Sequence, residues 1–220
     1  TGFQVNSTNA YVNASGGSYI YIAIRRGPLA PPKSATEVFA PNFYGTNGYV
    51  GYLGAPADMH MLGYRNGGSQ KAIVSSRMIQ NNKALVTSSS AAEITTNSSW
   101  DNMLGVTPVG STLTTLISYT FKRAPNFFDV VAYTGDGVAG RTVSHNLGVA
   151  PEMMWVKRRS SSALWAVYHK DLGNTKYIQL QSSAAAGTLS TFWNDTSPTS
   201  TDFQVGTYTA VNGNADTFVA

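Results

Sequence analysis

The three histidines are the side chains of this sequence best suited to acid–base chemistry or metal binding. His60 stands in an apolar run, which predicts a packed strand residue. His145 and His169, with Asp171 close to the second, form the best metal candidate in the sequence. Their spacing matches no known ligand pattern, and the chain has no cysteine. We therefore predict no metal site and no cofactor.

Carboxylates are the second group that could carry catalysis, and the chain has only 11 acidic residues. A glycosidase needs two of them across a cleft, and Asp101, Asp195 and Asp202 are candidates only because they are available. Asp58 and Glu152 occupy equivalent positions of an internal repeat, each shortly after a proline, which indicates a role in ordering a turn. We predict that the protein is not an enzyme, and a glycan depolymerase remains an alternative.

Residues 133–140 form a glycine-rich stretch, Tyr-Thr-Gly-Asp-Gly-Val-Ala-Gly. A phosphate-binding loop would end in Lys-Ser or Lys-Thr before a helix, and neither feature follows here. A calcium loop would supply oxygen ligands at alternating positions, which Asp136 alone does not. Turn formation therefore explains the glycines.

The aromatic residues are more informative, because 12 tyrosines and four tryptophans exceed what a core demands in a chain with 12% charged residues. Tyrosine and tryptophan suit both stacking on sugar rings and oligomer interfaces. Trp100 and Trp193 occupy equivalent repeat positions and are expected to be core anchors, whereas Trp165 lacks a counterpart and is the better contact residue. The candidate ligand-binding surface consists of Trp165, Tyr168, His169, Trp193, Asn194 and Asp195.

An internal repeat organises the elements that must position these residues. Residues 148–159 and 54–65 share a glycine, an Ala-Pro pair, an acidic residue, a methionine, an apolar run and an arginine. The echo continues in residues 176–185 and 83–92, and Glu152 follows Asp58 by 94 positions (152 − 58). A long period with preserved order indicates a duplicated domain.

The repeat divides the chain into three parts. Residues 1–27 are expected to be the closing strand pair of a preceding unit, or strands that complete the first one. Residues 28–124 and 125–220 are the two repeats, the second truncated where residues 1–26 would continue into a Tyr-Ile-Ala-Ile-Arg-Arg run. Residues 18–25 are apolar nearly throughout, which predicts a central strand covered on both faces.

Composition indicates an all-β fold, with tandem antiparallel β-sandwich units of jelly-roll or lectin-like type. Ser, Thr, Asn and Gly replace the charged residues that helices use on their wet faces, and short strands alternate with turn signals. The only helical candidate is residues 88–94. A net charge of +4 with three small basic clusters predicts no nucleic-acid binding, and the absence of a long apolar run predicts no membrane insertion.

The second repeat resembles a known family in its Gly-Val-Ala-Pro-Glu-Met strand, its Tyr-His-Lys segment after Trp165, and its Trp-Asn-Asp-Thr block at residues 193–196. A Phe-x-Val-Gly segment and an aromatic strand close the pattern at residues 203–220. These motifs resemble the repeats of tail-fibre-like proteins of tailed, especially marine, bacteriophages. The first repeat departs from the pattern, since Ala72 stands in the place of Trp165. The resemblance implies a virion setting.

We therefore expect a non-catalytic virion structural or adhesion protein, located in the tail or another surface appendage. Its expected partners are its own copies, with a trimer favoured, other virion proteins and a host-surface glycan bound through exposed aromatics. The alternative is a purely structural spacer, baseplate or capsid-decoration module. A spacer should bury its tryptophans, while a lectin should leave at least one in a polar-rimmed groove.

Overall fold

The computed structural model describes residues 14–15, 30–43, 51–64, 71–79, 82–96, 98–108 and 116–220. Strands dominate these residues, and every strand pair among them is antiparallel. The predicted all-β, sandwich-like fold is confirmed. The predicted central strand at residues 18–25, like most of residues 1–27, lies outside the described residues.

The strands of the described residues are numbered in chain order. They are β1 (Phe39–Phe43), β2 (Gly51–Tyr52), β3 (Met59–Tyr64), β4 (Ile73–Ser76), β5 (Lys83–Val86), β6 (Ile94–Thr95), β7 (Ser98–Ser99), β8 (Gly105–Pro108), β9 (Leu116–Phe121), β10 (Ala132–Thr134), β11 (Arg141–Ser144), β12 (Met153–Arg158), β13 (Trp165–His169), β14 (Lys176–Gln179), β15 (Gly187–Thr188), β16 (Asp202–Val205) and β17 (Thr217–Val219).

Helical structure in the same residues is limited to two 3₁₀ turns, Ala35–Glu37 and Arg77–Ile79, and one short α-helix, α1 (Thr209–Asn212). Residues 88–94, the only helical candidate in the sequence and a short one, form a turn and loop that lead into β6. The hydroxyl of Ser89 accepts a hydrogen bond from the backbone N–H of Ala91. Such local serine bonds compete with helical backbone pairing.

The duplication is visible in the strand order. One six-stranded sheet has the order β1-β9-β3-β4-β5-β6, and the other has β10-β17-β12-β13-β14-β15. A small second sheet accompanies each, β2-β8-β7 in the first case and β11-β16 in the second. We call β1–β9 unit one and β10–β17 unit two; the domain boundaries at residues 28, 125 and 220 stay a prediction.

The large sheet of unit two is covered on both faces. On one face Met154, Val156 and Tyr168 pack against Phe203 and other residues of the small sheet and its flanking loops. The opposite face belongs to a second cluster, in which Trp165 and Val219 of unit two pack with Val74, Ile79 and Leu85 of unit one. β13 is accordingly buried along four of its five residues, as expected of a central strand between two layers. This second cluster is a hydrophobic core shared by the two units.

The closing strands β9 and β17 occupy equivalent positions in the two large sheets. β9 pairs with all six residues of β3, from Met59 opposite Phe121 to Tyr64 opposite Leu116. β17 pairs with β12 only at Lys157 and Arg158.

Among the described residues, no helix is long and apolar enough to span a membrane.

Candidate functional site

The structure places the three aromatic members of the predicted ligand-binding surface in the interior. Trp165 is 3% exposed, Tyr168 4% and Trp193 1%. A ring must offer a free face to stack on a sugar, so the expected exposure of Trp165 is wrong. The ligand-binding role of the six residues therefore stays a prediction. None of its three aromatic members is exposed.

Trp165 joins the two units instead of facing a ligand. Its indole N–H donates to the backbone carbonyl of Val86 in unit one, with 2.9 Å between the nitrogen and the oxygen. Its ring meets that of Trp155 edge-on, with 6.4 Å between centroids. The residue lacks a counterpart in unit one because it serves the junction between the units, and not the interior of either.

Trp193 and Trp100 are both core residues, as the repeat predicts. The indole N–H of Trp193 donates to the carbonyl of Lys176 at 3.0 Å, and Tyr168 contacts the ring edge-on at 5.9 Å. Burial raises the pKa of the Tyr168 phenol. Trp100 is 2% exposed in unit one.

The three polar members of the predicted surface do not all meet. Asn194 and Asp195 line a small polar cavity of about 220 Å³, together with residues such as Ser190 and Thr207. His169 is not among the residues that line this cavity; its Nδ1 accepts the backbone N–H of Asp171 at 3.3 Å. The amide of Asn194 donates to Gln204 at 3.0 Å, so this side chain also orders the local loop.

The histidines hold structural positions. His60 is fully buried, its ring meets Trp100 edge-on at 5.4 Å, and neither ring nitrogen has a hydrogen-bond partner in the described part of the chain. Burial lowers the pKa of His60 to about 4. Nδ1 of His145 accepts the N–H of Leu147 at 3.2 Å. Within the described residues, no three His, Asp or Glu side chains converge as a metal site would require.

The equivalent carboxylates Asp58 and Glu152 have different partners. Asp58 accepts the backbone N–H of Arg123 at 2.8 Å and pairs with its guanidinium at 3.3 Å, which fixes the end of β9. Glu152 is 72% exposed at its side chain and pairs with Lys170. The hydrogen bond from Lys170 lowers the pKa of Glu152.

The glycine-rich stretch is a turn, as predicted. Gly137 and Gly140 have φ of 72° and 79°, which glycine adopts without strain. The carboxylate of Asp136 accepts the N–H of Val138 at 2.9 Å and the amide of the buried Asn212 at 3.1 Å. The hydrogen bond from the backbone N–H of Val138 contributes most to lowering the pKa of Asp136.

The basic run at residues 157–159 joins the two units. The ammonium of Lys157 donates to the carbonyl of Ser90 at 3.2 Å, and burial lowers the pKa of this lysine to about 8. Arg159 donates to Glu93 at 2.9 Å and to the carbonyl of Ile79 at 3.1 Å. In the first repeat Gly63 occupies the position of Lys157. This difference was the one sign in the sequence that Lys157 has a role specific to unit two.

An apolar concavity lies between the two units, beside β12 and β17. It is a cavity of about 910 Å³ that we call the apolar groove. Residues from both units line it, among them Met59, Ile79, Phe128, Met154, Trp155 and Val219. Sequence reasoning missed this groove, because the residues that line it come from both units and lie far apart in the sequence.

Comparison with known proteins gives one match. Residues 98–220, more than half of the chain, match a family described as a domain of unknown function, DUF7483. No curated protein and no solved structure matches the sequence. The matched residues begin at β7 and include all of unit two, so the unit-two wall of the apolar groove lies within the family domain.

Proposed function

The chain belongs to the DUF7483 family, and from that premise we propose that it is a non-catalytic structural module of a virion appendage, of the tail-fibre-like kind. The virion setting is supported by the sequence motifs of the second repeat, described above. The structural role is supported by one observation above all, the hydrophobic core shared by the two units.

That shared core suits a protein whose task is to hold shape. Tandem domains joined only by a linker move relative to one another by default, and a large apolar interface is what restrains them. Here Trp165, Val130 and Val219 pack against Val74 and Leu85 across the junction. The hydrogen bonds of Lys157 and Arg159 to unit one add directional contacts. The pair of units is therefore proposed to act as one stiff segment.

The burial of three of the four tryptophans favours this structural role over sugar binding by stacking; the fourth, Trp155, is half-buried and lines the apolar groove. Trp100, Trp165 and Trp193 are each at most 3% exposed, and their rings serve the cores of the units or the junction. A spacer would bury its tryptophans in this manner, whereas a lectin would keep one at the rim of a groove.

Immunogold electron microscopy tests the proposal. An antibody raised against the chain would be applied to purified particles of the virus that encodes it. We expect gold on an appendage, in a position shared by many particles. Gold absent from intact particles but abundant in lysate of the infected cells would refute the virion role.

Adhesion to a host-surface glycan is the second candidate, and the polar cavity at Asn194 and Asp195 is the observation that favours it. Amide and carboxylate groups in a concave site can hydrogen-bond sugar hydroxyls. A glycan array probed with the labelled chain would test it, with Asn194→Ala expected to lose binding and the exposed Ser183→Ala to retain it. Equal binding by the two variants would dismiss this cavity. A fall in polysaccharide viscosity would instead support the depolymerase alternative.

A further inference from the structure

One face of the large sheet of unit one is apolar and uncharged where it is formed by β1 and β9. We call its five residues the aromatic face: Phe39, Pro41, Phe43, Ile117 and Tyr119. The strand register places them on one side of the sheet, with Pro41 opposite Tyr119 and Phe43 opposite Ile117. None of the five is buried, and Phe43 is 53% exposed. A contiguous apolar surface of this kind marks a contact site.

The polarity of β9 is the reverse of what a strand with one wet side requires. Its residues alternate between buried and partly exposed positions. Ser118 and Thr120 are buried, and their hydroxyls hydrogen-bond each other at 3.0 Å. Ile117 and Tyr119 lie on the opposite, partly exposed side. Because a half-solvated strand normally turns its apolar residues inward and its polar residues outward, the outward residues of β9 are expected to be covered by a partner.

The aromatic face continues into the hydrophobic core shared by the two units. Tyr119 lies opposite Met61 of β3, and Met61 packs against the shared core. The ring of Phe39 contacts that of Phe121, with 4.9 Å between centroids. Phe121 in turn contacts Phe128 at 5.1 Å, and Phe128 also packs against the shared core. The aromatic face is therefore the uncovered part of a surface whose other part is already an interface.

The shared core shows how this chain covers such a face. Met61 and Trp155 hold equivalent repeat positions, and both pack against the shared core. The two units therefore meet there through equivalent faces of their large sheets. Val219 is buried in that core, whereas its counterpart by strand register, Ile117, is partly exposed. Sheet faces of this type thus pack against their own equivalents, and unit one has one such face to spare.

We propose that the aromatic face binds the aromatic face of a second copy of this chain, in a two-fold dimer. Uncharged, apolar contact surfaces are typical of homodimers, and a two-fold contact joins one surface to itself. A sugar site would need several convergent polar groups, whereas the hydroxyl of Tyr119 is the one polar group among the five side chains. This inference goes beyond the proposed function and does not depend on a virion setting or on a glycan.

Charges placed at Tyr119 test the contact, because this residue lies at the centre of the surface, between Pro41 of β1 and Met61 of β3. Light scattering of the natural chain should give twice the mass of one chain. Tyr119→Asp and Tyr119→Lys each bring like charges together across the two-fold axis. Each should raise the dimer dissociation constant at least roughly tenfold. Mixing the two variants should restore a dimer with one copy of each, because opposite charges then face each other.

Met103→Asp is the matched control, since it adds the same charge to unit one at a residue that is 72% exposed and lies outside the aromatic face. This variant should form the dimer as the natural chain does. A natural chain that stays monomeric at its highest soluble concentration would overturn the proposal, as would a dimer or trimer that Tyr119→Asp leaves intact. A monomer that binds oligosaccharides on an array and loses them in Tyr119→Asp would assign the aromatic face to a sugar instead.

Hydroxyl-radical footprinting of the natural chain provides a measurement that does not depend on how well the variants fold. Oxidation of Phe39 and Tyr119 should fall between dilute and concentrated protein, in proportion to the dimer fraction measured by light scattering, because the dimer excludes water from the aromatic face. Oxidation of Met103 should be the same at both concentrations. Unchanged oxidation of Phe39 and Tyr119, at a concentration where light scattering reports a dimer, would place the contact on another surface and refute the proposal.

Discussion

Unit one and unit two share a strand order, but equivalent residues of the two units have different partners. Unit one has the full closing strand β9, whose end is held by Asp58 and Arg123. In unit two the equivalent acid, Glu152, pairs with Lys170 at the surface. Equivalent acids therefore have different roles in the two units: Asp58 orders the end of a strand, whereas Glu152 forms an ion pair at the surface.

The interiors of the two units also differ, in the polarity of equivalent buried residues. In unit one His60 lies opposite Ser75, and both are completely buried. In unit two the same positions hold Met154 opposite Tyr168, within a large apolar core. The strand order survives this exchange of side chains, because strand pairing and turns specify the topology while the interior sets the stability. Unit two is therefore expected to be the more stable of the two units, and contacts in the shared core are expected to stabilise unit one.

The largest expected effect follows from removing the ring that joins the units. Trp165→Ala leaves a cavity in the shared core and should lower the free energy of unfolding by about 3–5 kcal/mol. Because the lost contacts are with Val86 and its neighbours in unit one, unfolding in denaturant should change from one transition to two. Circular dichroism and tryptophan fluorescence, followed together through the titration, would report the split.

Two matched variants sharpen this test. Trp165→Phe keeps most of the ring but leaves the carbonyl of Val86 without its donor, which should cost about 1–3 kcal/mol. Met103→Ala removes a side chain that is 72% exposed and should leave unfolding unchanged. A single sharp transition in Trp165→Ala, with no loss of stability, would show that the units do not depend on this junction.

The next largest effect is a dependence of unit one on pH. Burial lowers the pKa of His60 from its ordinary value near 6.5 to about 4, so between these values the unfolded chain binds a proton that the folded chain does not. Stability is therefore complete above pH 6.5 and falls by up to about 3 kcal/mol as the pH drops to 4. Urea unfolding at pH 7, 5.5 and 4 would measure the fall.

His60→Met gives unit one the residue that unit two carries at this position, Met154. The variant has no imidazole to protonate, so the loss of stability between pH 6.5 and 4 should shrink by most of that amount. It also removes two ring nitrogens that lack hydrogen-bond partners in the described structure, so stability at pH 7 should not decrease. The same fall in both proteins would assign the pH dependence to other groups.

The sequence predicts the fold class of this protein better than it predicts the contacts between the two units. The repeat and the composition predict an all-β chain, and equivalent positions correctly predict buried roles for Trp100 and Trp193. The burial of Trp165 could not be predicted from the repeat, because a residue unique to one repeat can serve either a ligand or the neighbouring unit. The apolar groove escaped notice for a related reason: residues of both units line it, and they lie far apart in the sequence.

The equivalent acids provide a smaller and paired effect. Asp58→Ala removes the acceptor of the Arg123 N–H and its charge partner, which should cost about 1–3 kcal/mol. Glu152→Ala removes an ion pair between two exposed side chains and should leave the unfolding midpoint unchanged. Both variants would be compared with the natural chain by thermal unfolding at one ionic strength. Equal losses would contradict the different roles assigned to the two acids.

The smallest effect concerns the polar part of the junction. Arg159 binds Glu93 and the carbonyl of Ile79 in unit one, whereas its neighbour Arg158 pairs with Asp216 within unit two at 2.9 Å. Arg159→Ala should lower stability by about 1–2 kcal/mol and broaden the unfolding transition, since the units lose part of their coupling. Arg158→Ala removes a comparable charge without crossing the junction, so its transition should stay sharp. Broadening in both variants, or in neither, would mean that the shared hydrophobic core alone couples the two units.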